Sequence, residues 1–91
     1  MKWWTYIVEC KDNSYYCGIA ISVDARIKAH NEGRGAKYTK GRGPVHLLTA
    51  VQFDSKSEAS RVEAAVKKMP KRKKLKFLEQ KSGGRRILKT N

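Results

Sequence analysis

Arg26 and His30 have the chemistry to handle a phosphate group and a proton. They lie four positions apart, so on a helix they share one face. The forked guanidinium of an arginine matches two phosphate oxygens and keeps its charge, while a histidine exchanges a proton near neutral pH. The alternative is that both are ordinary exposed helix residues. Their spacing therefore allows phosphate chemistry on this helix without requiring it.

Glu63 is the candidate ligand for a divalent cation. Magnesium needs only one or two protein carboxylates, because water and substrate phosphate complete its coordination shell. Glu63 also precedes Lys67 by four positions, which on a helix permits a simple ion pair. The pattern alone favours the ion pair, and metal binding is the functional hypothesis.

Residues 32–44 form a glycine-rich basic loop. Its backbone N–H groups could approach phosphate oxygens, and Tyr38 offers an aromatic face to an unpaired base. The cationic side chains that would add charge are Arg34, Lys37, Lys40 and Arg42. The loop lacks the Gly-Lys-Ser/Thr ending of a nucleotide-binding P-loop, and an ordinary flexible surface loop would have a similar composition.

Tyr6 and Tyr16 lie in the two arms of a predicted hairpin, and a tyrosine hydroxyl is a useful base only where its environment favours ionisation. A plain four-residue turn over residues 11–14 would pair Cys10 with Tyr15. That register places Tyr6 and Tyr16 on opposite faces of the sheet. A shared site for both tyrosines therefore requires an odd-length connection or a bulge.

The elements that must position these residues follow from propensity and capping signals. Residues 3–21 predict a β-hairpin, Ser22 or Asp24 begins a helix that reaches about Asn31, and residues 45–53 predict a third strand. Ser55 or Ser57 begins a second helix through about Lys68, and a third helix extends from Pro70 to about Gln80. The order β-β-α-β-α-α predicts an α/β (α+β) fold with a small three-stranded, mostly antiparallel sheet flanked by helices. We predict a single domain over residues 1–81 and a basic flexible tail over residues 82–91.

The charge of the chain points to a polyanionic partner. Twenty-one Lys and Arg residues oppose eight Asp and Glu residues, for a net charge of +13. Residues 67–91 hold 11 basic residues and one acid, a net of +10, which leaves +3 for residues 1–66. Such a charge concentrates nucleic acid at the surface, although a solvated basic tail is the plainer alternative. The candidate contacts in this part of the chain are Lys67, Lys68, Lys71 and Arg72.

Other features exclude several classes of protein. Cys10 and Cys17 are too few for a disulfide scaffold or a zinc site, so we expect ordinary packed thiols. No apolar run reaches the roughly 18 residues needed to span a bilayer. The first residues lack the apolar stretch of a secretion signal. We therefore expect an intracellular, cytoplasmic protein.

Taken in order, these residues resemble the GIY-YIG nuclease superfamily, and most closely its small stand-alone bacterial-type (UPF0213-like) members. The two defining tripeptides stand at residues 4–6 and 16–18, and the later signatures at residues 26–31, 35–39 and 61–68. The resemblance covers residues 3–78. Trp4 and Thr5 replace the family's Gly and Ile, and Cys17 replaces its second Ile. Both tyrosines and the closing Gly18 are retained.

The resemblance implies a metal-dependent endonuclease acting on DNA. Glu63 would hold one Mg²⁺ or Mn²⁺ at the scissile phosphate, and Arg26 would neutralise charge on the phosphoryl oxygens. Tyr6 or Tyr16 would deprotonate or position the attacking water, and the sequence does not choose between them. The remaining expected contributors orient the reacting groups or allow close backbone approach: His30, Tyr38 and Gly18.

Two other functions remain open at this stage. The same fold could bind nucleic acid without cleaving it, since the basic segment over residues 67–76 would serve either role. A small RNA- or ribosome-associated protein would be equally basic. For a nuclease, we expect recognition of DNA shape and backbone, in branched, flapped or single-stranded DNA. A protein partner could supply further specificity, and the oligomeric state is open.

Overall fold

A computed structural model describes residues 1–89. Residues 90 and 91, the end of the expected tail, lie outside the described residues. The elements in chain order are β1 (Trp3–Glu9), β2 (Tyr15–Ala20), α1 (Val23–Asn31), β3 (His46–Phe53), α2 (Lys56–Lys67), α3 (Lys71–Gln80) and β4 (Ile87–Lys89).

The sheet has four strands rather than the predicted three. Its order is β2-β1-β3-β4, and every neighbouring pair is antiparallel. The added strand β4 pairs Ile87 with Val51 and lies within the segment that we assigned to a tail. The prediction of three strands is therefore wrong. A strand at β4 was not predicted because it has only three residues and follows two glycines and two arginines. The division into a domain over residues 1–81 and a tail over 82–91 stays a prediction.

The β1–β2 hairpin has the odd-length connection that a shared tyrosine site requires. Glu9 pairs with Tyr15, which leaves the five residues 10–14 as the connection. Asn13 takes a positive φ of 69°, a conformation that asparagine tolerates better than most residues. Tyr6 pairs with Gly18, and Tyr16 lies two residues before Gly18. Tyr6 and Tyr16 therefore project from the same face of the sheet.

Helix α1 covers that face. Its N-terminus is capped by Ser22, whose hydroxyl accepts a hydrogen bond from the Ala25 N–H at 3.3 Å. At its other end, the Asn31 amide bonds both backbone groups of Val45, at 3.1 and 2.6 Å, and so anchors the helix to the start of β3. The core on this side includes Trp4, Tyr6, Val8, Cys10, Ala20, Val23 and Ala50.

Helices α2 and α3 cover the opposite face. Ser55 caps α2 by accepting the Glu58 N–H at 3.1 Å, and Thr5 in β1 donates to the Ala59 carbonyl at 2.9 Å. The core here includes Ile7, Cys17, Val51, Phe53, Ala59, Val66 and Leu78. Both cysteines are buried and free, as expected. Within residues 1–89, no helix combines the length and apolar character that crossing a membrane demands.

Candidate active site

A buried chain of hydrogen bonds connects Tyr6, His30 and Thr39. Tyr6 is 1% exposed and His30 is 2% exposed. The Tyr6 hydroxyl lies 2.9 Å from Nε2 of His30, and Nδ1 of His30 lies 2.7 Å from Oγ1 of Thr39. Thr39 in turn donates to the Ala36 carbonyl at 2.9 Å. Because the Thr39 hydroxyl proton is used in that bond, its oxygen can only accept a hydrogen bond from His30. Nδ1 therefore donates to Thr39, and Nε2 accepts a hydrogen bond from the Tyr6 hydroxyl. The Ala36 N–H, at 3.4 Å from Nδ1, favours the opposite tautomer but is the longer contact.

The protonation states agree with this direction of hydrogen bonding. Burial raises the pKa of Tyr6 to about 12, and the Arg26 guanidinium beside the phenol opposes that rise. Burial lowers the pKa of His30 from its usual 6.5, and the charge of Arg26 lowers it further. Near neutral pH the pair is therefore a protonated phenol and a neutral imidazole. Arg26 acts on both groups, which places it at the same site.

Tyr16 lies between this buried chain and the protein surface. Its ring centroid is 6.4 Å from that of Tyr6 and 5.4 Å from that of His30. The Tyr16 ring also stacks with that of Tyr38, with 5.8 Å between the two centroids, and the ammonium of Lys67 lies 5.8 Å from the Tyr16 centroid. Tyr16 is half-buried, so it is the more accessible of the two phenols.

Two glycines make room for the buried chain. A Cβ atom at Gly18 would lie 2.6 Å from the Tyr6 hydroxyl, and one at Gly35 would lie 2.1 Å from Nδ1 of His30. Both distances are too short for any side chain. The close backbone approach expected at Gly18 is therefore made to Tyr6 within the protein.

Glu63 lies on α2, beside the edge strand of the sheet. Strand β2 is an edge strand, and α2 runs beside it with Lys56, Glu63 and Lys67 on one helical face. Lys67 contacts the Tyr16 ring, and its ammonium lies 3.4 Å from the Glu63 carboxylate. Burial raises the pKa of the Cys17 thiol to about 12, and the charge of Glu63 adds to the rise. The carboxylate therefore lies near the strand segment that carries Tyr16 and Gly18.

The donor set at Glu63 suits a weakly held hard cation. Among residues 1–89, no group of three or more His, Cys, Asp or Glu side chains could enclose a metal. The Glu63 side chain is 22% exposed and pairs with Lys67, as the simpler sequence interpretation predicts. One accessible carboxylate fits Mg²⁺ or Mn²⁺, for which water and phosphate oxygens supply the remaining ligands.

The glycine-rich loop is fastened to the hairpin turn. Arg42 forms an ion pair with Asp12 at 2.5 Å, and its backbone carbonyl accepts the Lys11 N–H at 2.8 Å. The Arg42 guanidinium also lies 4.5 Å from the ring centroid of Tyr38, which is 41% exposed. The loop is therefore held beside the site, and Tyr38 forms part of its rim.

The other predicted nucleic-acid contacts lie around this rim or further out. Lys71 joins α3 to the hairpin, with its ammonium 2.5 Å from the Asn13 carbonyl and 4.6 Å from the Tyr15 ring centroid. Arg34 pairs with its neighbour Glu32. The remaining predicted side chains are all exposed at the surface: Lys37, Lys40, Lys68 and Arg72.

Three residues that organise the site were assigned no role from the sequence: Thr39, Gly35 and Asp12. Thr39 holds His30, Gly35 makes space for it, and Asp12 holds Arg42. Gly35 and Thr39 are the two ends of the signature at residues 35–39, whereas Asp12 has no signal beyond its position in a turn. Nothing in their spacing identifies their partners, because each contact depends on how a loop folds back.

Comparisons with known proteins give a consistent result. The family described as the GIY-YIG catalytic domain matches residues 2–76. A UPF0213 protein of Staphylococcus haemolyticus is 52% identical over 79 residues, covering 87% of this chain and 96% of that protein. The UPF0213 protein YazA of Bacillus subtilis is 47% identical over 76 residues, covering 84% of this chain and 77% of that protein.

Two solution NMR structures are similar to this one. A UPF0213 protein from Bacillus halodurans is 49% identical, with a TM-score of 0.55 and coverage of 91% of this chain and 88% of the other. A protein from E. faecalis is 34% identical, with a TM-score of 0.61 and coverage of 88% and 85%.

Proposed function

Since the chain belongs to the GIY-YIG catalytic-domain family and to its UPF0213 group, we propose that it is a divalent-metal-dependent endonuclease that hydrolyses phosphodiester bonds in DNA. Family membership indicates nuclease activity in general. Metal dependence and the choice of DNA are the proposal.

What supports the proposal is a cluster of four side chains beneath α1, with Glu63 placed on the neighbouring helix α2. Tyr6, His30 and Arg26 come from the face beneath α1, and Tyr16 adjoins them. Glu63 approaches from α2 on the opposite face through its contact with Lys67. Exposed helix residues would not require a buried phenol that is hydrogen-bonded to a histidine and lies beside a guanidinium.

The residues divide the reaction among them. Arg26 turns its guanidinium to the scissile phosphate and stabilises the charge that grows on its oxygens. Tyr16, the more accessible phenol, positions the attacking water. As the water loses a proton to the Tyr6 oxygen, the Tyr6 proton passes across 2.9 Å to Nε2 of His30. The water oxygen bonds to phosphorus while the bond from phosphorus to the 3′ oxygen breaks.

A divalent cation bound at Glu63 would supply Lewis-acid neutralisation of the phosphate and of the leaving 3′ oxygen. To bind the cation, Glu63 would give up its ion pair with Lys67. The Lys67 ammonium would then be free to pair with phosphate. Lys37, Lys40, Lys68 and Arg72 would hold the DNA backbone around the site. Such contacts position DNA without reading its sequence, so recognition would depend on shape.

Cleavage assays with a matched pair of variants test the proposal. Purified protein is incubated with branched, flapped, single-stranded and duplex DNA, with Mg²⁺, Mn²⁺ or EDTA. Glu63→Gln removes the proposed ligand, and Glu79→Gln is its control. Glu79 also pairs with a lysine, at 3.6 Å, and its 29% side-chain exposure is close to the 22% of Glu63.

We expect metal-dependent cleavage by the wild type and by Glu79→Gln, and strongly reduced cleavage by Glu63→Gln. Cleavage by Glu63→Gln at the wild-type rate would contradict the role of Glu63, because the activity would then come from another site or from a contaminating nuclease. DNA binding without cleavage by any form would favour the non-catalytic binding module, which the exposed cations of α3 would also serve. Preference for RNA in competition at fixed salt would favour the RNA-associated alternative.

A further inference from the structure

A groove adjoins the candidate active site along the same sheet edge. It is an open groove of about 560 Å³ and shares Arg26 with the site. We call it the edge groove, and its main lining residues are Trp3, Ile19, Ile21, Ala25, Arg26 and Lys56.

The edge groove has an apolar floor between two cations. Ile21 is 49% exposed, the most exposed large apolar side chain in the described chain apart from the first residue. Lys56 lies over the Trp3 ring at 5.1 Å, and Arg26 stands at the end nearest Tyr6. Apolar surface left open between cations suits a ligand with a flat apolar part and anionic groups on either side.

The position of the edge groove relates it to the scissile phosphate. Lys56 and Glu63 lie seven residues apart on one face of α2, which corresponds to about 10 Å along the helix axis. Successive phosphates of a stacked strand lie about 3.4 Å apart along the duplex axis. A strand held at Glu63 and Arg26 would therefore reach Lys56 within about three nucleotides.

We propose that the edge groove binds an unpaired nucleotide next to the scissile phosphate, so that the substrate carries a single-stranded segment beside the cleavage point. This inference rests on the proposed nuclease function and names its substrate class. Paired bases have their faces covered by their neighbours in the stack. An unpaired base exposes an apolar face that can lie on Ile21, while Arg26 binds the scissile phosphate and Lys56 binds a phosphate further along the strand, within about three nucleotides.

Equilibrium binding in EDTA tests this inference independently of cleavage. The probes are a fluorescent duplex with a five-nucleotide single-stranded extension, the same duplex with abasic nucleotides in that extension, and the blunt duplex. Fluorescence anisotropy compares the wild type with Ile21→Asn and Lys56→Ala. The matched controls are Ile87→Asn, at a 37% exposed isoleucine on β4, and Lys28→Ala, at a lysine on α1 outside the edge groove.

The wild type should bind the normal extension more tightly than the abasic one, because an abasic nucleotide lacks the apolar face that lies on Ile21. Ile21→Asn should abolish that difference while keeping its affinity for the blunt duplex. Lys56→Ala should weaken binding of both extended DNAs, and the two controls should behave as the wild type.

Equal affinity of the wild type for normal and abasic extensions would overturn the inference, as would an unchanged preference in Ile21→Asn. The two proposals fail separately. A protein that cuts DNA without this preference refutes only the edge groove assignment, and one that shows the preference but never cuts refutes only the nuclease.

Discussion

The residue on which the site geometry depends is His30. It is buried, its Nε2 accepts a hydrogen bond from the Tyr6 hydroxyl, and its Nδ1 donates a hydrogen bond to Thr39. A histidine with both ring nitrogens engaged in this way has a fixed tautomer and a fixed orientation. The proposed proton transfer from Tyr6 depends on both properties.

Thr39→Val should disrupt this arrangement, because valine fills similar space without a hydroxyl. The buried Nδ1–H would be left without its acceptor, at a cost of about 1–3 kcal/mol in the free energy of unfolding. The ¹⁵N shifts of the His30 ring should change, and cleavage should slow. Thr39→Ser should restore both the shifts and the rate. Unchanged ring shifts in Thr39→Val would refute the assigned tautomer.

The lowered pKa of His30 predicts a loss of stability in mild acid. Below pH 6.5, the usual pKa of histidine, His30 binds a proton in the unfolded chain. In the folded protein its lowered pKa keeps it neutral until the pH is lower still. The free energy of unfolding should therefore fall as the pH drops below 6.5 toward the lower pKa of the folded state. Cleavage should fall as Nε2 becomes protonated.

Urea denaturation across this pH range measures the effect on stability. His30→Gln should remove that part of the pH dependence, whereas His46→Gln should keep it, since His46 is exposed. Equal pH profiles for the wild type and His30→Gln would contradict the prediction.

At the scale of the elements, the β1–β2 hairpin decides whether the two tyrosines can share a site. Its five-residue connection places Tyr6 and Tyr16 on one face. Asn13 supports that connection with a positive φ of 69°. The length of the turn therefore matters to the chemistry although none of its residues reacts.

Asn13→Val should destabilise the hairpin by about 1–2 kcal/mol, since a β-branched residue resists the left-handed conformation. Asn13→Gly should be close to neutral because glycine adopts a positive φ freely. Urea denaturation of the two variants provides the measurement. A valine variant as stable as the glycine variant would show that the turn adopts another conformation.

The elements also show what the sequence could and could not predict. Ser22 and Ser55 were candidate caps and do begin α1 and α2, because capping is decided by residues close in the chain. The β4 strand could not be predicted, since Ile87 pairs with Val51 and the two residues are separated along the chain by α2 and α3. The contact of Thr39 with His30 was missed for the same reason, because it forms only when the loop closes over α1.

At the scale of the whole molecule, positive charge is concentrated in the C-terminal part of the chain. Residues 67–91 carry most of the net charge of +13. Part of it is engaged within the protein, as in the contacts of Lys67 with Glu63 and of Lys71 with Asn13. Exposed cations such as Lys68 and Arg72 are the better candidates for binding phosphate.

The salt dependence of DNA binding tests the role of these cations. The slope of log K against log salt concentration should become shallower by about 0.9 for each phosphate that the protein no longer neutralises. We expect that change in Lys68→Ala and in Arg72→Ala, and a wild-type slope in Lys28→Ala. Anisotropy titrations over a series of NaCl concentrations provide the slopes. Wild-type slopes in the first two variants would place the DNA elsewhere on the surface.

The central claim is that Glu63 serves catalysis and not the binding of DNA. Single-turnover cleavage and DNA affinity, measured on the same preparations with saturating Mg²⁺, test it most directly. We predict that Glu63→Gln cleaves at least about 100-fold more slowly than the wild type, as expected when several kcal/mol of transition-state stabilisation are removed, while its DNA affinity is unchanged or tighter. A Glu63→Gln protein that cleaves at the wild-type rate, or a wild type that binds DNA and never cleaves it, would contradict the claim.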